Sequence, residues 1–107
     1  MSSKEIHIGS IGHIFDLTIY DENDNIVDIS SATTTKNIIF CKTDGTIVVK
    51  NASFKTDGTD GIMSYTTVSG DIDQSGMWKI QGYVVLATGS WYTDIKNINI
   101  FKNLTTI

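Results

Sequence analysis

The chain has 107 residues, 40% hydrophobic and 19% charged, enough for one core without disulfide staples and too apolar for a disordered segment. Its formal net charge is −4, from eight lysines against twelve acids with no arginine, which excludes the basic stripe of a nucleic-acid binder. The single cysteine, Cys41, rules out an internal disulfide and points to a reducing compartment.

The opening "MSSKEIHIGSIG" (1–12) contains no continuous apolar stretch, so a signal peptide is not expected, and no segment approaches a membrane span. Ile6, Ile8 and Ile11 are apolar, while Gly9 and Gly12 loosen the segment. It reads as an N-terminal arm, free to add a strand to a neighbour's sheet edge, or as the first strand of its own sheet.

From residue 13 to 107 the pattern is that of one all-β domain. Short alternating runs recur between Gly, Asp, Asn and Ser, and no helical stripe is present. "HIFDLTIYD" (13–21) places Phe15, Leu17 and Ile19 on one face; "ENDN" (22–25) turns, and "IVDIS" (26–30) returns. "SSATTT" (30–35) reads as a loop or one short helical turn. "NIIFCK" (37–42) and "IVVKNASF" (47–54) flank "TDGT", where Asp-Gly predicts a hairpin with positive φ at both central residues.

"GIMSYTT" (61–67) alternates again, and "SGDIDQSG" (69–76) connects. "MWKIQGYVVLA" (77–87) is the longest strand, with Trp78, Ile80, Gly82 and Val84 on the core side. In "WYTDIKNINIF" (91–101), Trp91, Thr93 and Ile95 share one phase, while Ile98 and Ile100 share the other. A bulge near Lys96-Asn97, or a strand that changes sheets, reconciles the two. About seven or eight strands with frequent turns give an Ig-like antiparallel β-sandwich, with a small open barrel as the alternative.

Candidate chemistry is sparse. Asp21, Asn23 and Asn25 start like a calcium loop, but Ile26 and Ala32 stand where glycine and glutamate are required. Asp57, Asp60, Asp71 and Asp73 are oxygen ligands in principle, yet Asp beside Gly is ordinary turn vocabulary. His7, His13 and Cys41 make a poor soft-metal set. Neither a nucleophile elbow nor a phosphate loop is present. The expectation is therefore no enzyme, no cofactor, no metal and no small-molecule substrate. Trp91 and Tyr92 are adjacent in a strand and must face opposite sides, so one of them is available as an interface anchor.

The succession "FDLTIYDENDNIVDISSATT", "IIFCKTDGT", "TDGTDGIMSY" and "DIDQSGMWKIQGYVVLATGSWYTD", over about residues 13–102, resembles the N-terminal Ig-like domain of tailed-phage baseplate upper and tail-fibre proteins. That resemblance implies a virion protein, made in the host cytoplasm, which docks on other virion proteins in a symmetric assembly. Such a domain usually precedes a long fibre or receptor-binding region. The 107 residues here suggest instead a small adaptor on the tail, at the baseplate or fibre attachment, or a capsid-decorating subunit. Ile6, Ile8, Ile11, Trp91 and Tyr92 are the expected partner-binding residues. The alternative is a non-viral surface or carbohydrate-binding β-sandwich module.

Overall fold

The computed structural model describes residues 5–32, 35–87 and 89–104. The described fold is all-β, a sandwich of two sheets, and contains no helix among the described residues. In chain order the strands are β1 (Ile6–His7), β2 (Ile14–Thr18), β3 (Lys36–Cys41), β4 (Ile47–Asn51), β5 (Ser53–Phe54), β6 (Ile62–Thr66), β7 (Gly76–Leu86), β8 (Gly89–Tyr92) and β9 (Lys96–Phe101). Two of these nine are only two residues long, so the longer ones match the expected count.

The large sheet has the order β1-β9-β7-β3-β4, with β8 also paired to β7; the small sheet is β2-β6-β5. Pairing is antiparallel except at β1, which lies parallel to the end of β9 with Ile6 opposite Ile100 and His7 opposite Phe101. The first strand of the sequence therefore closes the edge of its own sheet.

Strict period two on β2 and β7 builds the core. Phe15, Leu17 and Ile19 from one sheet face Trp78, Ile80 and Val84 from the other, all buried. Phe15, Phe40 and Trp78 meet edge to face, with Tyr65 against Phe40, the arrangement that suits aromatic quadrupoles. Gly82 leaves no room for a side chain between the sheets. A Cβ there would lie 2.5 Å from Met63 Cε and 2.9 Å from Thr93 Cγ2.

Three local departures from the sequence pattern matter. The run "IVVKNASF" is not one strand: β4 belongs to the large sheet, Ala52 is buried at the corner, and β5 joins the small sheet. "IVDIS" does not form a strand; it makes one bridge, Tyr20 to Ile26, and then buries Ile29 at the sandwich end. The hairpin at residues 42–46 carries positive φ at Gly45 alone, not at Asp44. Gly45 N–H donates to Lys42 O and Lys42 N–H to Thr46 O, both 2.9 Å, the geometry of a turn closed by a glycine bulge.

The bulge expected in the last run exists, but it lies earlier, between Tyr92 and Lys96. Tyr92 pairs with Tyr83 and Lys96 with Ile80, so four steps along one strand oppose three along its partner. Thr93 still lies opposite Gly82, and the extra residue falls at Asp94-Ile95, opposite Gln81. Thr93 N–H donates to Gly82 O (2.9 Å), and its Oγ1 accepts from Gly82 N–H (2.7 Å) in place of a backbone carbonyl. Ile95 is pushed out of the core and is 58% exposed, while Ile98 and Ile100 return to the inner face.

"TDGTDG" is a corner that stitches the small sheet to the Ile29 segment. Gly58 O accepts from Ile29 N–H and Gly61 O from Ile19 N–H, both 2.8 Å. Both glycines have positive φ, and a Cβ would come within 2.7 Å of Ser30 Cα at Gly58 and of Val27 O at Gly61. Only glycine fits either place.

Candidate interaction surface

The acidic residues act on their own loops. Asp21 Oδ1 accepts from the N–H groups of Asn23 and Asn25, both 2.9 Å, inside the 21–25 turn. Asp57 accepts from Thr59 N–H (3.0 Å), and Asp60 from Thr56 Oγ1 (3.0 Å) and Ile62 N–H (3.1 Å). Hydrogen bonds from the Thr59 hydroxyl (2.6 Å) and N–H hold the Asp57 carboxyl below the usual carboxylate range. Thr46 N–H and Gln74 lower that of Asp44 to about 2. Among the described residues no three His, Cys, Asp or Glu side chains converge as a metal site.

Asp71 and Asp73 secure the 68–75 loop over one end of the sandwich. Asp71 takes hydrogen bonds from Tyr65 Oη and Val68 N–H and an ion pair from Lys50 (3.2 Å); Asp73 pairs with Lys42 (2.9 Å). Burial raises the Asp71 carboxyl, but these donors outweigh it and its pKa is lowered. Burial, then the hydrogen bond to Asp71 and its charge, push the Tyr65 hydroxyl up to about 12. Beneath the loop Ile72 is buried, and beside it lies a cavity of about 190 Å³ whose walls include Phe40, Lys42, Lys50, Asp71 and Trp78. Its two ammonium groups are already matched by carboxylates, so it reads as an imperfectly filled sandwich end.

The remaining surface of note is the outward face of the large sheet. Register puts Ile47 beside Cys41 and Lys79, and Val49 beside Ile39 and Gln81. Further along, Tyr83 pairs with Tyr92, their ring centroids 4.5 Å apart. Four of these outward side chains are more than half exposed: Ile47 58%, Val49 54%, Met77 54% and Tyr92 59%. Cys41 is half-buried on the same face.

The charge distribution separates this sheet from the rest of the chain. None of the twelve acids lies in any strand of the large sheet; they occupy turns and loops, apart from Asp16 on β2. Of the four lysines in the large sheet, Lys50 turns inward to Asp71, Lys36 lies over the Phe54 ring, 4.6 Å from its centroid, and Lys96 is exposed at the start of β9. Lys79 is exposed on the outer face. By contrast the small sheet presents Asp16, paired with Lys55 at 2.9 Å, at the middle of β2. Partial burial raises the Asp16 carboxyl, but hydrogen bonds from Lys55 and Ser64 outweigh it and lower its pKa.

The expected partner-binding residues are divided by the fold. Ile6 and Ile8 are half-buried against the chain's own core, and the arm is tied down by Ile8 N–H to Phe101 O (3.1 Å) and Gly9 N–H to Ile72 O (2.8 Å). Ile11 stays open, 67% exposed. Trp91 packs half-buried on the core and Tyr92 faces out, as their adjacency on a strand requires. Ile47, Val49 and Met77 were not among the expected residues. Their signal was the odd-numbered phase of "IVVKN" and "MWKIQ", opposite the core residues of the same strands.

No protein-family model matches the chain, and no curated protein matches it.

Proposed function

We propose that this chain is a docking subunit of a tailed-phage particle, an Ig-like module that attaches to other virion proteins through the outward face of its large sheet. The observation that carries the docking role is the charge segregation. A chain with twelve acids keeps all of them off one sheet and leaves Ile47, Val49, Met77 and Tyr92 exposed there. Depletion of charge with retained aromatic, aliphatic and Met side chains is the composition of an interface centre. Tyr92 backed by Tyr83 has the form of a rigid anchor. Support for a phage setting is the order of motifs across residues 13–102; the same reading places the chain on tail or capsid, with Ile11 of the arm and Tyr92 as contact points.

The test is quantitative mass spectrometry of purified phage particles from the culture that encodes the chain. The expected result is the chain present at a fixed ratio to a major structural protein, and loss of that incorporation for folded Met77→Glu and Tyr92→Glu variants. Absence from particles would overturn the phage reading. Full incorporation of both variants would overturn the role of this face.

A further inference from the structure

We infer that β4 is a homotypic docking edge, which pairs antiparallel with β4 of a second copy of this chain to join two large sheets into one. The inference stands apart from the phage reading and concerns the protein alone in solution.

A sheet edge left open is normally blunted. Every other long edge here is. At the far side of the large sheet, β1 caps the end of β9, and the bulge at Asp94-Ile95 breaks the line between β8 and β9. In the small sheet, β2 carries Asp16 at its midpoint. Pairing β2 with its own copy about that point would set two ionised carboxylates face to face, a direct repulsion. β4 has no cap, bulge or acid; its one blunting feature is the inward Lys50, whose charge Asp71 matches. It is five residues long, regular in register with β3 from Ile47 to Asn51, and without acid, proline or bulge. Its one charged side chain, Lys50, is turned inward to Asp71.

The ladder fixes which backbone groups are available. Ala52 N–H donates to Lys36 O (2.8 Å) and Lys42 N–H to Thr46 O (2.9 Å). Even-numbered residues therefore exchange their hydrogen bonds with β3, and the amides and carbonyls of Ile47, Val49 and Asn51 point away from it. An antiparallel copy centred on Val49 sets Val49 opposite Val49 and Ile47 opposite Asn51, using about six new N–H···O bonds. No two charges oppose each other in that register, because Lys50 meets Val48. Each pairing is repeated by the two-fold axis, Ile47 meeting Asn51 and Asn51 meeting Ile47, as an isologous interface requires.

Side chains favour the same occupant. Ile47 and Val49 lie on the edge and on the acid-free outer face together, next to Ile39 and Cys41 of β3. A second copy sets Val49 against Val49 across the seam and lays Asn51 beside Ile47. The net charge of −4 opposes association in general, yet the seam itself contains no acid from either copy. The occupant is thus another β4, not an acidic or basic peptide.

Proline at position 49 is the selective probe. The Val49 N–H is not used in the β3 ladder, so Val49→Pro blocks the outer edge while sparing the fold. Sedimentation velocity on the whole chain, up to on the order of 0.1 mM, within reach of micromolar affinities, should show a concentration-dependent dimer. Val49→Pro and Val49→Lys should be folded monomers, and Tyr92→Glu, altered on the face but not the edge, should stay dimeric. In hydrogen exchange the amides of Ile47, Val49 and Asn51 should be slow in the dimer and fast on dilution, with Val48 and Lys50 slow in both. A wild-type monomer throughout the range, or a dimer that survives Val49→Lys, would overturn the inference. So would Val49→Pro failing to fold, since the ladder would then not have the parity assigned to it.

Discussion

Replacing Thr93 with valine keeps the shape and branching of the side chain and removes only its hydroxyl. That hydroxyl accepts from Gly82 N–H (2.7 Å) and donates to Asp94 O (2.9 Å), at a residue 9% exposed. In Thr93→Val the Gly82 N–H has no partner and stays buried between the sheets. A stranded buried donor costs roughly 1–3 kcal/mol, and the second lost bond brings the total to about 2–3 kcal/mol. For a domain of this size that is a Tm lower by roughly 8–15 °C. Thr93→Ser is the control: it keeps the hydroxyl and loses one methyl, at a cost of about 1 kcal/mol. Urea unfolding followed by tryptophan fluorescence reports both, because Trp78 is buried and Trp91 half-buried. If Thr93→Val unfolds at the wild-type midpoint, or is less damaging than Thr93→Ser, the bulge is not held by the hydroxyl and the account of β8 and β9 fails.

Trp78, 1% exposed at the centre of the aromatic core, should cost about 3–5 kcal/mol when changed to alanine, measured by the same unfolding curves; a loss under about 1 kcal/mol would mean that β7 packs the other way round. Gly82→Ala should also destabilise, by about 1–3 kcal/mol, since its Cβ falls 2.5 Å from Met63 Cε and overpacks the space between the sheets; a calorimetric Tm at or above wild type would contradict that packing. The Asp71 carboxyl, like those of Asp16, Asp28 and Asp57, has a folded pKa below its ordinary value. Its stabilisation is present above pH about 4 and is lost as pH falls through the folded pKa. The Tm should therefore drop on acidification from pH 5, with a shallower drop in Asp71→Asn; an identical slope in that variant would remove Asp71 from the explanation. Deleting residues 1–12 should lower stability, because Ile6 and Ile8 pack on the core and β1 covers the end of β9; unchanged unfolding would show the arm to be dispensable.

What could be read in the sequence was whatever depends on local alternation. Trp78, Ile80 and Val84 announce the inner face of β7, and the shift of phase between Trp91 and Ile100 announces an extra residue. The place of that residue was not legible. Ile95 has the hydrophobicity of a core position, but the register is decided by which side chain replaces a missing carbonyl at Gly82, and Thr93 does so from eleven residues away. The switch at Ala52 was hidden for a similar reason. "IVVKNASF" has uniform strand propensity, and only the spacing of the two sheets determines where the chain crosses. Ile72 looked like part of a polar connection, yet it plugs the sandwich end because Asp71 on one side and Asp73 on the other pin the loop across it. For the surface, the opposite faces of Trp91 and Tyr92 followed from period two. The absence of acids from every strand of the large sheet was written in the sequence, but it becomes a property of one face only once β3, β4, β7 and β9 are known to be neighbours.

Hydroxyl-radical footprinting of the chain, free and assembled in purified particles, tests the docking face most directly. Met77 and Tyr92 report the outer face of the large sheet and Tyr20, 51% exposed and next to the small sheet, serves as the internal reference. The proposal predicts strong protection of Met77 and Tyr92 on assembly with Tyr20 unchanged. Unchanged oxidation of Met77 and Tyr92, or protection of Tyr20 in their place, would contradict it.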